Sequence, residues 1–302
     1  MTKMSEQIVF FGSGPVAAKS LEMLINNFNV EAVITKPQKP GHSDYLPVLE
    51  LAQKLGIKTY TALNRKELNN VFEDRPTKCR LAILIDYGII LSQDVIDYFP
   101  LGIVNSHFSL LPEWRGADPI TFSILSGQEK TGVSLMILSA GLDEGPLLVQ
   151  ESIKLDSSID SIELTDKLIN LSNDLLAQYV PQYVSGDLKP YQQPSKIKPT
   201  YSRKIDKEEG LINWNKSAAQ IECEIRAFIE WPKSRTHIND MEVIITKAHV
   251  VGRSGKPGSH KVIDGVLNIF AGEDALAIDS IKPAGKKEMD IKGFLRGYGN
   301  RI

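Results

Sequence analysis

Along the first part of the chain, short apolar runs alternate with stretches whose apolar residues recur at helical spacing. Ile8 to Phe11 is apolar throughout, Gly12-Ser13-Gly14-Pro15 turns the chain, and Val16, Leu21, Leu24 and Ile25 return with the period of one helix face. A second strand is predicted over Val30 to Ile34, then a Pro/Gly loop from Pro37 to Pro47, a helix over Val48 to Leu55 and a strand at Ile57 to Thr59. Leu81 to Ile85 is apolar without alternation, as a strand buried on both faces of a parallel sheet requires. Ile103 to Asn105 and Ser134 to Leu138 read as further strands. Strands separated by helical stretches predict an α/β fold, a doubly wound and mostly parallel Rossmann-like sheet.

The pattern changes near residue 189. Lys189 to Thr200 holds three prolines and no hydrophobic period, which predicts an extended linker. Beyond it Ile221, Ile225 and Phe228 share one helix face, with Ser217 placed to cap its start and Pro232 to stop the chain continuing. Strand-like runs follow at Val243 to Thr246, Lys261 to Ile263, Val266 to Phe270 and Leu276 to Ile281, joined by turn pairs such as Asn239-Asp240 and Asp264-Gly265. Residues 1–188 are therefore expected to form the α/β domain, 189–206 a linker and 207–302 a smaller OB-like β-barrel domain.

Composition narrows the function. The 302 residues carry a net charge of −2, but residues 1–188 hold 15 Lys and Arg against 23 Asp and Glu, whereas 189–302 hold 20 against 14. A basic C-terminal part beside an acidic N-terminal part points to a polyanionic partner for the former. The two cysteines, Cys79 and Cys223, lie far apart and outside any C-x-x-C spacing, so a disulfide scaffold and a zinc site are both disfavoured and no metal is expected. The opening residues read as neither signal peptide nor membrane span, so a cytoplasmic location without membrane partners is expected.

Two motifs carry chemistry. Gly12-Ser13-Gly14-Pro15-Val16-Ala17 matches G-x-G-x-x-A between a strand and a helix, which raises a nicotinamide oxidoreductase. The acidic residue that would hold the ribose is missing: Val33-Ile34 is followed by Thr35-Lys36-Pro37, leaving NADP as the weaker alternative and a tight turn as the plain one. The second motif starts where the Ile103 strand ends: Asn105-Ser-His107-Phe-Ser109-Leu110-Leu111-Pro112-Glu-Trp-Arg115-Gly. Asn105 and His107, two apart in extended backbone, face the same way. Asp143, in the glycine-punctuated loop after the Ser134 strand, approaches His107 if the two strands are neighbours. An amide, an imidazole and a carboxylate in one cleft can polarise a carbonyl and move a proton.

These residues, with Thr131-Gly-Val-Ser134 and Gly141-Leu-Asp143, resemble the signature of the folate-dependent formyltransferase family. Ile225-Arg-Ala-Phe228, Trp231-Pro232 and Lys282-Pro-Ala-Gly-Lys286-Lys287 resemble the C-terminal domain of the branch that formylates methionyl-tRNA, and the similarity runs from Ile8 nearly to the end. The resemblance implies transfer of the formyl group of 10-formyltetrahydrofolate to the α-amine of initiator methionyl-tRNA for translation initiation, releasing tetrahydrofolate. It places the catalytic trio on Asn105, His107 and Asp143, and the folate site on Ser109, Leu110, Leu111 and Pro112 with Ile85, Tyr87 and Gly88. For tRNA it implies Lys282, Lys286 and Lys287, with Lys196, Lys198, Arg203 and Lys204 of the linker, Lys36 and Lys39 of the loop after the second strand, and Arg115. That loop is shorter and less basic than the family's, which favours a sugar-nucleotide N-formyltransferase as the alternative. Asp86 and Asp118 also depart from the family pattern, each adding negative charge near the cleft. A binding protein without catalysis is the remaining reading, for which the trio would be superfluous. A monomer is expected.

Overall fold

A computed structural model describes residues 6–38 and 45–302. The chain divides into two compact units, one made of residues 1–119, 131–153 and 165–202, the other of 120–130, 154–164 and 203–302.

The first unit is built on a seven-stranded sheet. Strands β1 (Gln7–Phe11), β2 (Asn29–Thr35), β3 (Lys58–Thr61), β4 (Leu81–Leu84) and β5 (Ile103–His107) run parallel in the spatial order β3-β2-β1-β4-β5. After the two-residue β6 (Arg115–Gly116), β7 (Lys130–Ile137) joins β5 antiparallel, with His107 opposite Ser134, and β8 (Leu147–Lys154) closes the edge. Helices α1 (Pro15–Asn27), α2 (Pro47–Lys54), α3 (Arg65–Glu73) and α4 (Gln93–Asp97) connect the parallel strands. Of two further helices, most of α6 (Ser161–Ser185) belongs to this unit, and α5 (Pro119–Leu125) apart from its first residue belongs to the second. The apolar run predicted for β4 is buried on both faces, and Phe11, Phe72, Tyr87 and Phe99 pack their rings beside it. This is the expected α/β class. Helices α3, α4, α5 and α6 and strands β6 and β8 add to the elements foreseen.

The stretch expected as a linker contributes to this unit as far as Ser202. Tyr191 and Leu147 exchange backbone hydrogen bonds of 2.7 and 2.8 Å, and β9 (Tyr201–Ser202) pairs parallel with β6.

The second unit carries an antiparallel sheet of β10 (Arg235–Ile238), β11 (Met241–Val251), β12 (His260–Ile263), β13 (Val266–Phe270) and β14 (Ala275–Pro283), ordered β10-β11-β14-β13-β12, with β15 (Met289–Asp290) on β14. Helices α7 (Ala218–Ala227) and α8 (Ile291–Tyr298) cover its apolar face, where Ile221, Ile225, Ile245, Ile278 and Phe294 form one core. The cap read from sequence is present: Ser217 Oγ accepts from the Gln220 amide, 3.2 Å away. Asp264 and Gly265 both take positive φ, 50° and 76°, the conformation a two-residue hairpin turn demands.

Candidate active site

The carboxyl ends of the parallel strands gather the predicted residues of the first unit. Asn105 and His107 lie on β5, each only 6% exposed. The next strand, β7, leads into the loop of Asp143, which adopts φ of 49° and has a side chain 12% exposed. Because β5 and β7 are neighbours, the loop brings Asp143 to both: Asn105 Nδ2 donates to Oδ1 at 3.4 Å, and His107 Nδ1 stands 3.7 Å from Oδ2. The Gly116 amide donates to the same Oδ2 at 2.8 Å. The imidazole's other nitrogen, Nε2, lies 2.9 Å from the Trp114 carbonyl. A carbonyl only accepts, so Nε2 carries a proton, and Nδ1 can donate only from the imidazolium. The Asp143 carboxylate supplies the counter-charge for that form.

The segment after His107 is held mainly by its own neighbours. Ser109 is fully buried and its hydroxyl donates to the Glu113 carbonyl at 2.5 Å, while its carbonyl accepts from Ser134 Oγ at 2.6 Å. Gln150 Nε2 donates to the Leu111 carbonyl at 2.7 Å and to Ser134 Oγ at 2.8 Å. Leu111 is buried against Met136 and Leu147 and is joined to the buried Pro112 by a cis peptide, leaving Leu110 partly exposed. Ser134 and Gln150 act on this segment from β7 and β8. Ser134 stands in the Thr131-Gly-Val-Ser motif, and Gln150 has no sequence signal of its own.

The other expected folate residues divide. Ile85 is buried, and its amide donates to the Phe11 carbonyl at 3.0 Å. Tyr87 points into the core, 1% exposed, with burial holding its phenol above the usual tyrosine range and no partner for the hydroxyl among the described residues. Its backbone carbonyl, accepting from Ser13 Oγ at 2.8 Å, is what it offers the strand end. Gly88, at φ of 73°, is exposed near the Lys36 ammonium.

The glycine turn has its physical reason here. A Cβ on Gly12 would stand 2.6 Å from that of Ala17 and from the Phe10 ring, and one on Gly14 would overlap Asp86 Oδ2. Asp86 is exposed as a residue, yet its carboxyl turns inward and accepts from the Ala17 amide in the first turn of α1. Desolvation pushes its pKa up to about 6, against the pull of Lys36 and with a further push from Asp118. Ser13 also donates from its amide to the Asp86 carbonyl at 3.0 Å. The crevice between β1 and β4, where a doubly wound sheet would seat a pyrophosphate, therefore holds a carboxyl of the protein itself. That removes the physical basis for the nicotinamide alternative.

Among the residues expected to meet tRNA, Arg115 is buried: one terminal nitrogen donates to Glu144 at 3.0 Å and the other to Gln193 at 2.7 Å. It belongs to the frame of the site, not to an outer surface. Arg203 forms a bidentate pair with Glu209 at 2.7 and 2.9 Å. Lys196, Lys198, Lys204, Lys286 and Lys287 are exposed, and Lys36 and Lys282 are half-buried. Lys39 lies outside the described residues. No helix among the described residues is long and apolar enough to cross a membrane.

Comparison with known proteins defines the class. The formyl transferase model matches residues 6–180, and the model of the formyl transferase C-terminal domain matches 204–299. The N-formyltransferase of Helicobacter canadensis, solved with folinic acid and dTDP-3-aminofucose, shares the fold at a TM-score of 0.68 and 20% identity, covering 91% of this chain and 99% of that one. Glycinamide ribonucleotide transformylase 1 of Symbiobacterium toebii overlays 62% of this chain and 94% of its own, with a TM-score of 0.54 and 18% identity. The chain is thus a formyl transferase by fold and domain make-up. Curated methionyl-tRNA formyltransferases are similar over nearly the whole length: that of Clostridium novyi is 33% identical, with 98% of each chain covered, and that of Myxococcus xanthus 34%, with 97% and 95% covered. The chain belongs to the methionyl-tRNA formyltransferase family.

Proposed function

We propose that this protein transfers the formyl group of 10-formyltetrahydrofolate to the α-amine of initiator methionyl-tRNA. The observation that carries the reading is the buried amide and imidazole of Asn105 and His107 beside the partly exposed carboxylate of Asp143, set within a chain 33% identical, with 98% of it covered, to a methionyl-tRNA formyltransferase. The neutral methionyl amine attacks the formyl carbon, the carbonyl π electrons move to oxygen, and collapse breaks the bond from carbon to N10. The proton lost by the amine goes to N10, giving tetrahydrofolate.

Asn105 and the imidazolium of His107 donate to the oxygen as charge develops there, a contribution of about 3 kcal/mol per donor in comparable sites. Asp143 balances the imidazolium and relays the proton. The exposed Lys196, Lys198, Lys204, Lys286 and Lys287, with Lys282 and Arg203, hold the tRNA backbone, and binding should weaken as salt rises. Affinity unchanged between low and moderate salt would remove that role.

The decisive experiment offers labelled 10-formyltetrahydrofolate together with initiator methionyl-tRNA and an amino-sugar nucleotide. Label is expected on the tRNA. Label confined to the sugar nucleotide would replace this reading with the sugar-nucleotide one.

A further inference from the structure

We propose that Gln193 is a positioning residue for Asp143, acting from a stretch that the sequence marks only as proline-rich. The proposal rests on the functional reading above. Gln193 Nε2 donates to the Asp143 carbonyl at 2.7 Å and to the Gly145 carbonyl at 2.9 Å, while its Oε1 accepts from Arg115 at 2.7 Å. The orientation of the amide is dictated by its partners: carbonyls only accept and a guanidinium only donates, so oxygen must face Arg115 and nitrogen the loop. All three bonds fall within the normal range, and the two to the loop hold it on both sides of Glu144.

Asp143 needs such a grip. Its φ of 49° lies in the left-handed region, which an aspartate adopts at little cost, so the hydrogen bonds to its own and the Gly145 carbonyl are what fix the loop where the carboxylate is aimed. Its side chain is fixed at one oxygen by Gly116 N–H at 2.8 Å but reaches Asn105 and His107 only at 3.4 and 3.7 Å, so the backbone position decides how the carboxylate addresses the imidazole. Arg115 closes the frame by donating to Glu144 at 3.0 Å. The remainder of the stretch is anchored to the His107 side of the site: Thr200 Oγ1 accepts from the Trp114 amide at 2.9 Å, its carbonyl accepts from the Arg115 amide at 2.9 Å, and Ser202 Oγ accepts from the Asp118 amide at 3.1 Å. Trp114 is the residue whose carbonyl fixes the His107 ring. One segment, residues 193–202, thus seats both halves of the acid–base pair.

The test measures formyl transfer to initiator methionyl-tRNA by the full chain carrying Gln193→Met, which keeps the volume and loses all three bonds, and Gln193→Glu, which turns a carboxylate on two carbonyls. Each is expected to lower kcat by about tenfold or more, as a displacement of catalytic geometry does, with KM for both substrates within about twofold. Gln193→Asn, one methylene short, should fall between. The same changes made in an Asp143→Asn background should cost about twofold or less, because a residue that works through Asp143 has little left to position. Wild-type kcat in Gln193→Met and Gln193→Glu overturns the proposal, as does an undiminished loss in the Asp143→Asn background. Absence of transfer by the unaltered protein would instead overturn the functional reading.

Discussion

The two units treat buried polarity in different ways. In the first, Asn105, His107, Ser109, Arg115 and Ser134 are buried within one neighbourhood at the strand ends, and each is hydrogen-bonded to its neighbours. In the second, buried polar groups are local fastenings within an apolar core: Glu224 pairs with Lys216, Trp214 donates to Thr236 at 2.9 Å, and Asn268 donates to the Val266 carbonyl at 2.9 Å. Interlocked polar groups pass a displacement to one another, whereas isolated ones keep it where it arises. The first unit should therefore answer substitution in kcat, and the second in binding.

The sharpest break of this contrast is at the trio. His107→Ala and Asp143→Asn are expected to reduce kcat by about a hundredfold or more, by loss of an oxyanion donor and of its counter-charge, in protein that still folds. Near wild-type turnover in either would show that the polar cluster is a fold device with no part in the chemistry.

The complementary change is made in the second unit. Alanine at Lys282, Lys286 and Lys287 together should raise KM for tRNA and leave kcat alone. It should also lower the steepness of the salt dependence by about 2, since each phosphate that a lysine no longer neutralises keeps somewhat less than one counterion. An equal fall in kcat with unchanged KM would erase the distinction between the units.

How much of this could be read in advance follows from the same difference. Asn105 and His107 are legible because two residues of extended chain place both on one face, and Asp143 because sequential strands tend to be spatial neighbours, as β5 and β7 are here. Tyr87 misleads: beside a strand end and a glycine it looks like a pocket wall, but its ring fills the core against Phe11, at 5.5 Å between centroids. Arg115 is legible only as a choice: the sequence leaves open a contact with tRNA or a structural salt bridge, and burial between Glu144 and Gln193 decides for the second. Gln193 gives no signal, because no periodicity marks a residue whose partners lie 48 to 78 positions away. The antiparallel sheet of the second unit is legible in its longer strands, where apolar runs meet turn pairs. The short β10 and β15 depend on pairing partners for their existence and leave no pattern.

The smallest expected effect probes the edge of the polar cluster, at Asp86. Its carboxyl is held near pKa 6 in the folded protein against an ordinary value of 3.8, so between about pH 4 and 6 the folded state binds the proton more tightly than the unfolded chain. Stability contributed by the neutral form is complete at the acid end of that window and is lost as pH rises through 6. Asp86→Asn removes the charge, suits the φ of 46° at this position and can still accept from the Ala17 amide. It should therefore raise the melting temperature at pH 8 and leave it nearly unchanged at pH 4. Because Asp86 is exposed as a residue, solvent screening limits the gain to about 1 kcal/mol or less, about 2 to 4 °C. A loss of stability at pH 8 would mean that Lys36 and the first turn of α1 compensate the buried charge in full. The carboxylate between β1 and β4 would then count as a paired anion, and the polar network of the first unit would extend one strand further than its catalytic end.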